Sequence, residues 1–140
     1  MRRRTRLMKQ AAVESLTLSV ELVNRPTPTA REHAVVMLAA HAFEMLLKAV
    51  IFEERGSVNE PGTDETHSLG RCINIALSDM AVRTDDRAVL LALKQDRDAA
   101  THSVVSMSEE LLWVHLRTAV DIFDRVRIDA LIEHEELRRA

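Results

Sequence analysis

The chain has a single cysteine, Cys72, and no tyrosine. One cysteine forms no internal disulfide and cannot build a zinc site from several thiolates. Turn signals are also scarce, with 3 glycines and 3 prolines in 140 residues, and aromatic residues make up 3%. These shortages disfavour strands joined by tight turns and aromatic platforms for stacked bases. The composition instead predicts an almost entirely helical protein.

An excess of basic residues is also missing. The chain has 19 basic and 22 acidic residues, which gives a formal net charge of -3. A protein that coats nucleic acid draws its affinity from many phosphate contacts, so this charge disfavours that class. A local basic cleft is still compatible with it.

No apolar core of a signal peptide follows the basic start of the chain, residues 1–6. The longest apolar stretch, Ala34–Phe52, is interrupted by His41, Glu44 and Lys48, which is typical of a buried helix rather than a membrane span. We therefore expect a cytoplasmic protein with no membrane contact.

Apolar residues at helical spacing predict one domain over residues 1–140, an all-α antiparallel bundle of four or five helices. The predicted boundaries come from prolines, glycines and two capping boxes at Thr29–Glu32 and Ser106–Glu109. We expect a basic tail at 1–6, helices over about 7–23, 30–55 and 68–80, and a loop at 57–66. A fourth helix starts at Thr84, and a fifth runs to the C-terminus.

Two arginines are followed by a histidine five to seven positions later, which is about the number expected by chance. Arg127 and His134 lie in a strongly charged tail, where a solvated helix end is the default. Arg97 and His102 lie instead in the fourth helix, away from its apolar stripe. Arg97 and His102 are therefore the stronger candidate pair.

The segment around Arg97 carries groups that can cleave RNA without a metal. Arg97 supplies a positive charge for the developing phosphorane, and Asp98 and His102 supply groups that accept or donate protons. Lys94 and Thr101 lie on the same side of the helix. Successive residues turn by about 100°, so the three groups line an arc, and one helix cannot direct them at one phosphate. Two copies facing each other across a twofold axis can.

Glu44 and Lys48 interrupt the apolar second helix one turn apart. One interpretation is a solvent-facing i,i+4 ion pair, which contributes about 0.2–0.5 kcal/mol. The other is that both residues border a polar cleft between helices. The sequence leaves both open.

The order of helices and the Arg-x4-His segment resemble the HEPN superfamily. The stretch 41–49 (HAFEMLLKA), preceded by Glu21–Asn24 and Pro26, looks most like an uncharacterised HEPN-like family. The resemblance covers roughly 13–126. It implies a homodimer that cleaves RNA without a metal or cofactor and leaves a cyclic phosphate. It also implies a toxin or phage-defence role, with an antitoxin or other effector partner.

Carried onto this sequence, the resemblance makes Arg97 the residue that holds the scissile phosphate and His102 the general base or acid. The family often has asparagine after the arginine, where this chain has Asp98, whose carboxylate repels phosphate. Toxins paired with a nucleotidyltransferase antitoxin carry tyrosine where this chain has Val104, so control by modification of that tyrosine is not expected.

A second hypothesis is a non-catalytic nucleotide-binding, RNA-binding or protein-interaction module on the same bundle. In that case Arg97 and Asp98 form a structural pair. A di-metal bundle requires Glu-x-x-His pairs on facing helices, and the sequence has none, so we expect no metal site.

Overall fold

The computed structural model describes residues 1–25, 31–102 and 109–132, and their architecture is an all-α bundle, as predicted. Thr29 and Ser106, the expected first residues of the two capping boxes, lie outside the described residues. The helices are α1 (Arg3–Val23), α2 (Arg31–Arg55), α3 (Leu69–Ser78), α4 (Thr84–His102) and α5 (Glu109–Arg127), followed by a π-helical turn (Ile128–Ile132).

Helix α2 is the centre of the bundle and packs against α1, α3, α4 and α5. Phe43, Leu46 and Leu47 are fully buried, and the Phe43 ring meets Phe123 of α5 edge to face at 5.6 Å. Its length and mean hydropathy also suit a membrane-crossing helix, a property that core helices share. In this structure, 61% of the most apolar 18-residue segment of α2 is buried inside the protein.

The start of the chain is part of the bundle. Helix α1 begins at Arg3, so the expectation of a basic tail over residues 1–6 is wrong for residues 3–6. Thr5 is fully buried and its hydroxyl donates to Glu53 Oε2 at 2.9 Å. The backbone N–H of Arg2 donates to the same oxygen at 3.1 Å. These contacts to the end of α2 hold the first turn in place.

The loop at 57–66 folds back on itself. Asn59 and Thr66 form an antiparallel bridge, and the backbone N–H of His67 donates to the Val58 carbonyl at 2.7 Å. Val58 and His67 are buried. The loop is therefore anchored to the bundle at both of its ends.

Two helices end differently from the prediction. Helix α3 ends at Ser78 rather than Met80, because Met80 adopts a left-handed backbone with φ of 64°. The fifth helix changes from α to π geometry after Arg127, and Leu131 in the π-helical turn is fully buried. Residues 133–140, the rest of the predicted fifth helix, lie outside the described residues.

An ion pair joins the start of α4 to α5. Asp86 is 6% exposed, accepts a hydrogen bond from the Arg83 backbone N–H at 3.2 Å and contacts the Arg125 guanidinium. The Asp86 carboxylate in the first turn thus satisfies a backbone donor and also fixes the position of α4.

Helices α2 and α4 run in opposite directions. Val50 and Glu54 near the end of α2 line a pocket with Arg83, which directly precedes α4, whereas Val35 near the start of α2 lines a groove with Asp96 near the end of α4. The end of α2 and the start of α4 are therefore at the same end of the bundle.

Candidate functional site

Five of the predicted site residues meet between α2 and α4. We call them the charged cluster: Glu44, Lys48, Lys94, Arg97 and Asp98. The Arg97 guanidinium donates to Glu44 Oε1 and to Asp98 Oδ1, both at 3.3 Å. Glu44 also lies 3.7 Å from Lys48 Nζ, and Lys94 Nζ donates to Asp98 Oδ2 at 2.7 Å. The cluster is thus a chain of alternating charges.

The cluster is partly buried at its inner end and open at its outer end. The side chains of Lys48, Glu44 and Arg97 are 12%, 20% and 23% exposed, whereas that of Asp98 is 48% exposed. Lys48 Nζ also donates to Thr66 Oγ1 at 3.1 Å. These contacts favour the second interpretation of the α2 residues, because Glu44 and Lys48 face a neighbouring helix and loop.

Asp98 is held in its charged form by cations. The hydrogen bond from Lys94 lowers the pKa of its carboxyl group below the usual value. Desolvation opposes this effect, and the hydrogen bond from Arg97 adds a lesser lowering of the pKa. Opposite charges within hydrogen-bond distance favour the ionised carboxylate.

We predict that Asp98 stabilises the fold only above the pH range in which it titrates. Its pKa in the folded state is lowered, so its contribution is present above the unfolded pKa, about 3.9, and is lost as the pH falls through the folded value. Thermal unfolding of wild type and Asp98→Asn should differ slightly at pH 7 and converge once the pH is well below the unfolded pKa. A difference that grows on acidification would contradict this assignment.

Thr101 and His102 lie at the end of α4, outside the charged cluster. The Thr101 hydroxyl donates to the Arg97 carbonyl at 2.9 Å, and His102 is exposed as the last residue of the helix. Asp98 and His102 are one helical turn apart on α4, yet they make no contact with each other among the described residues. Lys94 and Arg97 engage that carboxylate instead, which leaves the imidazole solvent-facing.

Helix α3 packs beside the charged cluster at Gly70. A Cβ atom at this position would lie 3.1 Å from Lys94 Cε, so the absence of a side chain allows Lys94 to approach α3 closely. Cys72 is fully buried, and burial raises the pKa of its thiol to about 11, partly offset by the charge of Lys48. Cys72 therefore fills space as a small apolar residue.

We predict that Cys72 does not react with thiol reagents in the folded protein. The thiolate is the reactive form, and burial disfavours it and blocks access. Ellman's reagent at pH 8 should report no thiol in the native chain and one per chain after denaturation. Rapid reaction under native conditions would show that α3 opens readily.

An apolar groove of about 300 Å³ lies on the other flank of α4, between α2, α4 and α5. Asp96 of α4 and His115 of α5 approach to 4.0 Å at this groove. Its walls are otherwise mainly aliphatic: Val35, Val36, Ala39, Ala88, Val89, Ala92, Leu93, Leu112, Leu116, Thr118 and Ala119. The groove faces α5, whereas the charged cluster faces α2 and α3.

Two parts of this arrangement were not predicted. Thr66 contacts Lys48 across 18 residues, and Asp96 approaches His115 across 19. No local spacing marks either contact, because each depends on how separate elements pack.

The described segments (1–25, 31–102 and 109–132) contain no group of three or more His, Cys, Asp or Glu residues placed to hold a metal ion. In the charged cluster, Glu44 and Asp98 are instead neutralised by lysine and arginine. The chemistry of the charged cluster is therefore ion pairing, and the Arg97 guanidinium keeps N–H groups that can bind an anion.

Comparison with known families gives one match. The model of a family described as a domain of unknown function (DUF3644) matches residues 7–126. The matched range includes all seven candidate residues, from Glu44 to His102. No curated protein and no solved structure matches the chain.

Proposed function

The chain belongs to the DUF3644 family, and we propose that this member is a metal-independent endoribonuclease of the HEPN type that acts as a homodimer. The observation that carries the proposal is the arrangement of Arg97 and His102. Arg97 is partly buried and oriented by Glu44, and His102 follows five residues later at the exposed end of the same helix.

Arg97 has the donors needed to hold a phosphate. Its bonds to Glu44 and Asp98 use two of the five N–H groups of the guanidinium. Arginine holds its charge at any physiological pH and matches the geometry of phosphate oxygens. Glu44 fixes the side chain, so little side-chain entropy is lost when a phosphate binds.

His102 supplies the proton transfers. One imidazole accepts the proton of the ribose 2′-OH as its oxygen forms a bond to phosphorus, and a second donates a proton to the 5′ oxygen as the P–O5′ bond breaks. The products are a 2′,3′-cyclic phosphate and a 5′-OH. The two roles require two imidazoles, which a pair of protomers provides.

A homodimer is supported by apolar surface beside the site. Val114 of α5 is 61% exposed and Trp113 is 45% exposed, next to the apolar groove that α4 shares with α5. Burial of this surface against a second copy would contribute about 25 cal/mol per Å². It would also place α4, and with it His102, near the twofold axis.

The HEPN resemblance supports the rest of the proposal. It implies a toxin or phage-defence role, acting on RNA under the control of an antitoxin or other effector partner. The burial of α2 in the core supports the absence of a membrane contact.

The proposal is tested by incubating the purified protein with end-labelled RNA in EDTA and mapping the products, with the oligomeric state measured by light scattering. We expect a dimer and fragments that end in cyclic phosphate, at a rate that EDTA does not change. Cleavage that stops in EDTA and resumes with Mg²⁺, or an active monomer, would contradict it.

A non-catalytic binding module is the second candidate, and one observation favours it. The charge of Arg97 is already neutralised by Glu44 and Asp98, as in a structural ion pair. This module would bind nucleotide or RNA in EDTA and return it intact. A single cleaved product, absent from a matched preparation of His102→Ala, rules it out.

A further inference from the structure

Asp98 binds two cations of the charged cluster at once. Its Oδ2 accepts a hydrogen bond from Lys94 Nζ at 2.7 Å, and its Oδ1 accepts one from Arg97 Nη2 at 3.3 Å. The carboxylate therefore bridges an ammonium and a guanidinium group with its two oxygens. A phosphate group can bridge the same two donors with two of its oxygens, because lysine and arginine both bind phosphate in proteins.

The charged cluster has more positive than negative charge. Its three cations and two carboxylates give it a net charge of +1: Lys48, Lys94 and Arg97 against Glu44 and Asp98. The chain as a whole has a formal net charge of -3. An anion that binds at the cluster therefore meets a local excess of positive charge in an otherwise acidic protein.

Asp98 is bound more closely by Lys94 than by Arg97. Hydrogen bonds between a charged nitrogen and a carboxylate are usually about 2.7–2.9 Å long, so the bond from Lys94 is short and that from Arg97 is long. In the part of the chain that the structure describes, Lys94 Nζ forms its one ion pair with Asp98. The carboxylate is therefore mainly the partner of Lys94, and it engages the Arg97 guanidinium only weakly.

Asp98 is also the outermost of these three side chains. It is 48% exposed, whereas Lys94 and Arg97 are 30% and 23% exposed. Ion pairs as exposed as these contribute little to stability, so the carboxylate can turn into solvent at a small cost. Glu44 accepts its hydrogen bond from the other terminal nitrogen of Arg97, Nη1, and so still orients the guanidinium when Asp98 has left.

We propose that Lys94 and Arg97 together form a binding site for a phosphate group, and that Asp98 occupies this site until a phosphate displaces it. That the phosphate belongs to RNA rests on the proposed function. The phosphate oxygens accept the hydrogen bonds that the two cations donate to Asp98 in the free protein. Lys94 is then a second phosphate ligand beside Arg97, and Asp98 is an internal competitor that lowers the affinity for phosphate.

Inorganic phosphate serves as the probe, so that binding is measured without RNA and without cleavage. It is titrated into the isotope-labelled protein at neutral pH and constant ionic strength, and the dissociation constant is taken from the NMR shifts of the α4 amides. Asp98→Asn keeps the shape of the side chain and removes its charge. It should bind phosphate about fivefold more tightly than the wild type, the effect of one unit charge about 4 Å away in a medium as polar as water.

A second substitution tests whether Lys94 binds phosphate directly or only holds Asp98. In the Asp98→Asn protein no carboxylate is left at position 98 for Lys94 to hold. Adding Lys94→Gln to that protein should weaken phosphate binding by about fivefold, because it removes a charge that contacts the anion. Adding Lys94→Arg instead keeps the charge and should retain the affinity. No loss with Lys94→Gln in that background would overturn the proposal.

Asp85→Asn is the matched control, because it removes the same charge from an exposed position in the first turn of α4. The helix rises by about 20 Å from Asp85 to Asp98, which is about two Debye lengths at about 0.1 M salt. The control should therefore bind phosphate as the wild type does. Equal gains in Asp85→Asn and Asp98→Asn, or unchanged or weaker binding by Asp98→Asn, would overturn the proposal.

Failure of the phosphate site and failure of the nuclease give different results. Tighter phosphate binding by Asp98→Asn together with no RNA cleavage by the wild type supports the site and contradicts the nuclease. Cleavage by the wild type together with equal phosphate affinities of the wild type and Asp98→Asn does the reverse. Phosphate shifts confined to amides outside α4 would also overturn the proposal.

Discussion

Replacing His102 with alanine is expected to lower the rate of RNA cleavage by about 10²–10⁴-fold, the usual contribution of a positioned general acid or base. The exposed imidazole at the end of α4 has no structural partner among the described residues, so its loss should leave the fold and the dimer intact. The rate is measured in EDTA under single-turnover conditions, with RNA affinity determined in parallel.

The matched control is His134→Ala, which removes the histidine of the other Arg–His pair in the sequence and lies outside the described residues. It should retain the wild-type rate. Equal losses in both variants, or cleavage that survives in His102→Ala, would show that the imidazole of His102 is not the proton-transfer group. Rescue of His102→Ala by added imidazole would separate lost chemistry from lost structure.

Replacing Phe43 with alanine should lower the free energy of unfolding by about 3–5 kcal/mol. The ring is fully buried at the centre of α2 and packs edge to face on Phe123, so its removal loses apolar burial and leaves a cavity. Neighbouring helices can collapse into that cavity only in part. Urea unfolding followed by circular dichroism gives the difference directly.

Leu18→Ala is the control for this prediction. The side chain is a large apolar residue on α1, but it is 49% exposed, so its removal should cost less than about 1.5 kcal/mol. Similar losses in the two variants would mean that the core is centred elsewhere than on α2.

Much of the fold could be predicted because its signals are local. The apolar periodicity of α2, Gly56 at its end and Thr84 at the start of α4 all act within one or two helical turns. The start of α1 could not be predicted in this way, because Thr5 is ordered by Glu53, 48 residues later. The ion pair between Asp86 and Arg125 spans 39 residues and is equally hidden from a local pattern.

The candidate site was predicted as a set of residues but not as a geometry. Spacing placed Arg97, Asp98 and His102 on one arc of α4, and it marked Glu44 as a polar exception in an apolar helix. It did not show that Glu44 would pair with Arg97, or that Lys94 would pair with Asp98. Which nearby cation pairs with a carboxylate depends on the distances between side chains of different helices. Spacing along one helix does not contain that information.

Gly70 gives α3 indirect control over the electrostatics of α4. Any side chain at that position meets the aliphatic stem of Lys94 at 3.1 Å and pushes its ammonium group away from Asp98. The carboxylate would then draw more strongly on the Arg97 guanidinium. A single methyl group on α3 can therefore change how this protein attracts anions, with every ionisable residue left in place.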